Sequence, residues 1–264
     1  MVDRILFGWL GRAMLNNVGR TPCLVGWSPV RGGWRQLNDK YRGKPVICLD
    51  KEAWDWTVPA WLVDLWLCVI KQLAHNAPDW WLRMVELRFR ILFEIALFEF
   101  EDGTVVEQCV KGIMKSGCYL TIILNSLGQS LLHNVAVDRC GWEAPQDDPD
   151  VIGDDTVQEA VPDLPLYVKH LEDLGVIVKG ARVQHFVEFA GFAYDGRVCF
   201  PAYWQKHLFN MAHSPSLVEL LKCYQYLYVH EPVMYEFICR VAREVDPSCL
   251  LPKIVALDIM DFSC

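Results

Sequence analysis

DPDVIGDDTVQEA, from Asp148 to Ala160, is the stretch around which this chain is organised. Two short runs that favour strands, Val151–Ile152 and Thr156–Val157, flank an acidic tip. Gly153 permits a tight turn between them, so the pattern predicts a hairpin that presents the Asp154–Asp155 carboxylates. Adjacent anions repel each other unless a cation lies beside them, and Mg²⁺ is commonly held by one or two carboxylates together with substrate phosphates. Taken alone, the stretch fits a solvated acidic turn better than a metal site.

Composition indicates a globular protein. The chain has 264 residues, of which 53% are hydrophobic, and it is long enough for one large domain or a few subdomains. Eleven cysteines without a CxxC pair, and no N-terminal basic-then-apolar signal, predict reduced thiols in the cytosol. The longest apolar stretches fall short of the roughly 20 residues that cross a bilayer, so no transmembrane helix is predicted. The net charge of −8 argues against a protein that coats nucleic acid through bulk positive charge.

The segments before the hairpin alternate between strand and helix patterns. PVICL, Pro45 to Leu49, predicts a buried strand that ends at Asp50. After Pro59, the apolar spacing up to residue 73 predicts an amphipathic helix. GWSPVRGGWRQL favours a loop because of its proline and glycines. The runs ILFEIALFEF and TVVEQCV flank Asp102-Gly103 and predict two antiparallel strands.

The segments around and after the hairpin become increasingly helical. Residues 119–137 favour a long helix that displays Thr121, Asn125 and Gln129 on one face. VIVKG predicts a strand with Lys179 near its end, and residues 183–200 predict a further hairpin. Three helix candidates follow, each beginning near a proline: 201–212, 215–230 and 232–245. Mixed segments followed by helices predict an α+β fold.

Polar residues lie in four clusters near the ends of these predicted elements. If Asp50 at a strand end lies beside Asp154 at the hairpin tip, carboxylates from two adjacent strands meet. That arrangement suits two Mg²⁺ ions about 3.5 to 4 Å apart, which catalyse in-line phosphoryl transfer. The clusters are Asp50 with Asp55; Ser116 with Gly117, Thr121 and Asn125; Asp154 with Asp155; and Lys179.

Three motifs in these clusters occur in the order found in a known enzyme family. The D-x4-D, SGxxxTxxxNS and GDD segments resemble motifs A, B and C of the RNA-dependent RNA polymerases of positive-strand RNA viruses. DWTV, GIMKSGCYLTIILNS and the loop containing GWSP further resemble sobemovirus-like and polerovirus-like polymerases, and LGVIVKG resembles motif D. The match covers residues 1 to 211.

The resemblance implies an α+β polymerase palm, an antiparallel sheet flanked by helices, with partial fingers and a helical thumb. It assigns residues 1–44 to a residual fingers segment, 45–200 to a palm with motifs A to E, and 201–264 to the thumb. Residues of about 75–112 would form a fingers insertion within the palm. The activity implied is template-directed RNA synthesis from nucleoside triphosphates, with an RNA template and a primer or nascent strand as partners.

The resemblance also implies roles for the catalytic residues. Asp50, Asp154 and Asp155 match the carboxylates that hold two Mg²⁺ ions, for which Mn²⁺ can substitute. Lys179 matches the motif D lysine proposed to protonate the leaving pyrophosphate. Outside this context, Lys179 is a solvated charge at a strand end. The hairpin at 189–200 sits where motif E grips the primer.

A second group of residues matches the site that recognises the incoming ribose. Asp55 and Asn125 match the pair that senses the 2′-hydroxyl, a group that donates and accepts hydrogen bonds. Ser116 and Thr121 match motif B residues that assist this network, and Gly117 supplies the flexible loop beside it. Outside this context, Asp55 is a helix N-terminal cap and Asn125 a surface amide.

The chain departs from the family in one respect. The basic motif F of the fingers, which holds the triphosphate, precedes the region where this chain starts, and no such strand lies in it. We therefore expect a fragment or one product of a longer polyprotein. The expected setting is the host cytoplasm, at membrane-associated replication complexes with other viral replication proteins.

Three alternatives stay open at this stage, and an all-structural α+β domain ranks last because it leaves the polar clusters unexplained. A reverse transcriptase would carry a bulky steric gate in place of Asp55 and an aromatic residue in place of Gly153. A non-catalytic polymerase relic would bind RNA or proteins without turning over nucleotides. Retention of every catalytic carboxylate argues against the relic, and Mg²⁺ binding that depends on Asp50 would separate the two.

Overall fold

The computed structural model describes residues 1–262 and separates into two compact units. In chain order the elements are α1 (Val2–Leu15), α2 (Gly33–Lys40), β1 (Val46–Lys51), α3 (Trp54–Thr57), α4 (Ala60–Leu73), α5 (Asp79–Phe93), β2 (Leu97–Glu99), β3 (Val105–Glu107), α6 (Thr121–Cys140), β4 (Asp150–Ile152), β5 (Asp155–Glu159), α7 (Leu164–Asp173), β6 (Val178–Gln184), β7 (Val187–Phe189), β8 (Phe192–Asp195), β9 (Val198–Pro201), α8 (Trp204–His213), α9 (Leu217–Leu227), α10 (Pro232–Val245) and α11 (Lys253–Asp261).

The first unit comprises Met1–Gly26 and Leu49–Arg182. Its main sheet has the strand order β4-β5-β1-β6, and a separate two-stranded sheet pairs β2 with β3. Helix α6 packs against α7 and β4. The core of this unit is apolar, with Trp66, Leu124 and Val157 among the side chains fully removed from solvent.

The β4–β5 hairpin forms because its sequence suits both the turn and the core. Ile152 pairs with Asp155 across a two-residue turn, and Gly153 adopts a left-handed φ of 63° in that turn. Val151 on β4 is buried, and the Gly153 backbone N–H donates to Ser126 Oγ at 2.8 Å. The predicted hairpin is confirmed, with its acidic tip turned to solvent.

The second unit comprises Trp27–Cys48 and the residues from Val183 onward. An antiparallel sheet of order β7-β8-β9 packs its Phe189 against Trp27. Asp261 on α11 accepts a hydrogen bond from Trp34 Nε1 at 3.1 Å and forms an ion pair with Arg35 at 3.4 Å. These contacts fix α2 against the C-terminal helix of this unit.

Several predicted elements are confirmed and others need correction. The strand before Asp50 and the helix after Pro59 are present, and mixed helix with antiparallel strands confirms the α+β class. The loop predicted for GWSPVRGGWRQL is wrong in its second half, because Gly32 turns the chain with a φ of 75° and α2 begins at Gly33. Residues 91–93 extend α5 instead of opening a strand.

The segment 183–200 also contains more strands than the single hairpin that was predicted. A second turn at Ala190-Gly191 divides it into β7, β8 and β9, with Gly191 at a φ of 78°. Helix α11 was not predicted. Within residues 1–262, no helix combines the length and apolar character that membrane crossing requires. The boundaries proposed between fingers, palm and thumb stay predictions.

Candidate active site

Sheet order brings three predicted catalytic side chains to one edge of the first unit. Strand β1, which carries Asp50, lies between β5 and β6 in the sheet. Asp154 occupies the hairpin turn and Asp155 begins β5, and both residues are exposed. The expectation that Asp50 lies on a strand next to the acidic hairpin is therefore confirmed.

Lys179 approaches the same edge from β6. Its Nζ lies 3.4 Å from Asp50 Oδ2, and each side chain is 65% exposed. An ion pair this exposed contributes about 0–1 kcal/mol to stability, because water screens it. Asp50 is thus able to exchange Lys179 for another cation at little cost.

The donor chemistry of this edge fits Mg²⁺, although no finished metal cage is present. Asp50, Asp154 and Asp155 offer hard carboxylate oxygens, and Mg²⁺ needs only one or two of them when substrate phosphates and water complete its coordination. Within residues 1–262, no three His, Cys, Asp or Glu side chains are gathered closely enough to hold an ion. The carboxylates therefore form an open site, which suits an ion that arrives with its substrate.

Lys51 is a charged residue that sequence reasoning missed. It follows Asp50 on β1, so its side chain points to the opposite face of the sheet, where its ammonium is buried without a hydrogen-bond partner. Burial lowers the pKa of Lys51 to about 8, and the charges of Asp154, Asp155 and Asp50 oppose part of this shift. The signal in the sequence was a lysine at the end of a strand whose first four residues are apolar.

Asp55 forms the centre of a polar network beside the carboxylates. Its Oδ2 accepts a hydrogen bond from Ser116 Oγ, and its Oδ1 accepts one from Asn125 Nδ2 at 3.3 Å. The Asn125 side-chain oxygen in turn accepts from Trp54 Nε1 at 2.9 Å. Asn125 is only 4% exposed, so the surface-amide interpretation of this residue is wrong. The three predicted ribose readers Asp55, Ser116 and Asn125 are brought together.

Thr121 and Gly117 shape the loop that carries Ser116. Thr121 Oγ1 donates within this loop, with the carbonyl oxygens of Lys115 and Cys118 at 2.8 and 3.0 Å. Gly117 has a φ of 88°, a conformation that side-chain-bearing residues rarely adopt. Thr121 therefore stabilises the loop that carries Ser116, and it is Ser116 that bonds to Asp55.

Lys115 is a second cation that the sequence analysis did not single out. Its Nζ donates to the Ile113 carbonyl oxygen at 2.9 Å and contacts Gln108 Oε1. Burial lowers the pKa of Lys115 to about 8. This lysine therefore anchors the loop just before Ser116 through partly buried polar contacts.

An acidic hairpin beside a carboxylate-bearing strand, together with a polar network around Asp55, is the arrangement expected of a palm-type nucleic-acid polymerase. The chain belongs to the viral RNA-dependent RNA polymerase family, which matches residues 1–181. Its relatives include the replicase polyprotein P2AB of Southern bean mosaic virus, 30% identical over 131 residues. The corresponding polyprotein of cocksfoot mottle virus is 28% identical over 171 residues. The resemblance to sobemovirus polymerases is thereby confirmed.

These alignments cover 48% and 62% of this chain but only 13% and 17% of the two polyproteins. Solved structures show the same fold. The RNA-dependent RNA polymerase of a human picobirnavirus superposes with a TM-score of 0.63 at 14% identity, over 83% of this chain and 45% of that one. Its insertion-loop deletion mutant gives a TM-score of 0.65 at 12% identity, over 90% and 50%. The chain thus spans about half the length of the solved polymerases.

Proposed function

We propose that this chain carries the catalytic centre for template-directed RNA synthesis, in which a nucleotide passes from a nucleoside triphosphate to an RNA 3′-hydroxyl. The observation that carries this proposal is the sheet order β4-β5-β1, which sets the acidic hairpin beside the strand of Asp50. Family membership supports the same chemistry. The polar substrates would be an RNA template, a primer or nascent strand, and nucleoside triphosphates.

Asp50, Asp154 and Asp155 are the residues that would hold two Mg²⁺ ions, with Mn²⁺ as a substitute. When bound, such ions lower the pKa of an attacking hydroxyl and neutralise charge on the triphosphate. Asp154 and Asp155 are both exposed at the hairpin tip, which supports access of substrate to this part of the site. Lys179 neutralises Asp50 in the structure. We infer that Lys179 leaves Asp50 when substrate arrives.

Asp55 and Asn125 would discriminate ribose from deoxyribose. Ser116 and Asn125 already donate to the two oxygens of Asp55, so the carboxylate has a fixed orientation. A 2′-hydroxyl can join this network as donor and acceptor, whereas a deoxyribose offers neither. Lys179 Nζ would supply the proton to the leaving pyrophosphate as a general acid.

The biological role that follows is replication of a viral RNA genome. Its relatives are named replicase polyproteins of plant-infecting viruses such as Southern bean mosaic virus, which supports this role. We infer action in the host cytoplasm, at membrane-associated replication complexes and together with other viral replication proteins.

The test is a substitution in a polymerase that carries this segment. Asp154→Asn removes a charge with little change in shape, and we expect nucleotide incorporation on a primed template to fall by at least about a hundredfold, because a transition-state charge partner is lost. Asp102→Asn is the matched control, since Asp102 also lies in an exposed hairpin turn. Near-normal incorporation by Asp154→Asn would reject the assignment.

One observation favours a non-catalytic relic as the second candidate. Asp50 is paired with Lys179, and no three metal-binding side chains are gathered within residues 1–262. Calorimetry separates the candidates: the polymerase requires Mg²⁺ binding that Asp50→Asn weakens, whereas a relic shows no such dependence.

A further inference from the structure

A small chamber with several polar side chains in its lining lies on the face of the main sheet opposite the exposed carboxylates. Strands β1 and β5 and helices α6 and α7 enclose it, and its volume is about 10 Å³, close to what one water molecule needs. Its lining mixes apolar side chains with polar ones: Leu49, Lys51, Gln129, Leu132, His133, Pro149, Thr156, Gln158, Tyr167 and Leu171.

The polar side chains of this chamber have unmet hydrogen-bonding capacity. Gln129, His133 and Gln158 are each at most 3% exposed, and Thr156 is 7% exposed. The buried atoms without a partner are Lys51 Nζ, Gln129 Oε1 and Nε2, His133 Nε2, Thr156 Oγ1 and Gln158 Nε2. Buried polar groups are rarely left unpaired, and a buried ammonium is especially costly when unpaired. The chamber is therefore built to hold a polar ligand.

A second, larger cavity adjoins this chamber. A surface pocket of about 120 Å³ is formed by residues 145–147 and 159–161, and it shares His133 and Gln158 with the chamber. His133 Nδ1 and Tyr167 Oη lie 2.9 Å apart, which fixes the imidazole at the junction. Burial lowers the pKa of His133, so this ring is neutral near pH 7 and does not repel the Lys51 cation.

We propose that the chamber binds ordered water that solvates Lys51, and that Lys51 is a positioning residue whose fixed positive charge lies beneath Asp50, Asp154 and Asp155. The inference rests on the proposed function, because the three carboxylates are the ones assigned to Mg²⁺. The lysine acts through these carboxylates and touches neither substrate nor metal.

Removal of the Lys51 charge is expected to raise the affinity of the site for Mg²⁺. The Lys51 cation reduces the mutual repulsion of the three carboxylates in the metal-free protein, and it also repels an arriving divalent cation. Removing the charge therefore makes the site more negative and tightens Mg²⁺ binding. A residue that only supported the fold would weaken Mg²⁺ binding when replaced.

Calorimetric titration of the 264-residue chain with MgCl₂ tests this sign. Lys51→Met removes the charge at similar volume, and we expect its Kd for Mg²⁺ to fall roughly threefold to tenfold, the effect of one partly screened charge. Lys51→Arg keeps the charge and should bind as the native chain does. Unchanged or weaker Mg²⁺ binding by Lys51→Met would overturn the proposal.

A second measurement needs neither a folded Lys51 variant nor a bound metal. In ¹⁵N-lysine-labelled protein, a water-solvated buried ammonium gives a slowly exchanging Nζ resonance with a cross-peak to water. Asp154→Asn in metal-free buffer should shift that resonance, because Lys51 and Asp154 are electrostatically coupled. A rapidly exchanging resonance, or one that Asp154→Asn leaves in place, would contradict the inference. If the native chain binds no Mg²⁺ but Asp154→Asn still shifts the Lys51 resonance, the proposed function is rejected. The placement of the Lys51 charge near Asp154 is then not contradicted.

Discussion

Asn125 links the core of the first unit to the polar network around Asp55, which we propose reads the sugar. Its side-chain oxygen accepts from the buried Trp54 indole, so its amide nitrogen is directed to Asp55. The sequence predicted the pairing of Asn125 with Asp55 through the motif resemblance. It did not predict the role of Trp54, because an indole N–H becomes an orienting group only when tertiary packing brings it to the amide.

We expect Asn125→Ala to reduce discrimination between ribonucleotides and deoxyribonucleotides by about tenfold or more, because Asp55 loses one of two donors that orient it. The variant also leaves the Trp54 N–H unpaired, which costs about 1–3 kcal/mol of unfolding free energy. Relative incorporation of NTP and dNTP on a primed template measures the first effect, and urea unfolding measures the second.

Asn134→Ala is the matched control for this prediction. Asn134 lies on the same helix, α6, but is exposed and bonds to Ser130 and Asp148. This variant should keep native discrimination. An unchanged NTP-to-dNTP ratio in Asn125→Ala would show that the network around Asp55 does not read the sugar.

The β4–β5 hairpin shows which parts of the fold could be predicted from sequence. Its turn depends on Gly153 and its strands on neighbouring β-branched residues, so the information is local. Helix α2 was missed because Pro29 and Gly32 lie close to its start, and only the left-handed turn at Gly32 shows where the loop ends. Lys51 was missed because its burial depends on helices more than 70 residues away, α6 and α7.

The same hairpin makes a prediction about stability. Gly153 has a φ of 63°, so Gly153→Ala should destabilise the fold by about 1–2 kcal/mol even though no heavy atom lies within 4 Å of the added methyl group. Gly153→Asn should lower the free energy of unfolding less than Gly153→Ala does, because asparagine tolerates the left-handed conformation. Urea denaturation measures both values.

Gly180 provides the control for this backbone argument. It also has open space around its missing Cβ, but its φ is not in the left-handed region. Gly180→Ala should therefore be neutral or slightly stabilising, because it restricts the unfolded chain. If Gly153→Ala and Gly180→Ala lowered the free energy of unfolding by the same amount, the backbone conformation of the turn would not be the reason for glycine at position 153.

The charge of the whole chain limits how it engages RNA. A net charge of −8 accompanies a candidate site in which the carboxylates of Asp50, Asp154 and Asp155 outnumber the cations. Affinity for RNA backbones comes largely from lysine and arginine that release counterions, so an acidic protein gains little from this source. Under the proposed function, the carboxylates of Asp50, Asp154 and Asp155 need metal to offset their repulsion of phosphates. The proposed catalysis therefore depends on carboxylates that bind metal, whereas RNA binding depends on lysine and arginine side chains.

We expect the 264-residue chain to bind a fluorescent primed RNA weakly, with a Kd above about 1 μM near 0.15 M salt, and to extend it poorly. The reason is electrostatic: few backbone phosphates are neutralised, so the binding constant should also depend only shallowly on salt. Fluorescence anisotropy across a salt series gives both quantities, and a gel assay with labelled NTP gives extension. The Asp154→Asn chain serves as the control, because it should bind RNA at least as well while extending nothing. Tight binding with a steep salt dependence, or robust extension by the native chain, would mean that the lysines and arginines of this chain suffice to bind RNA despite its negative net charge.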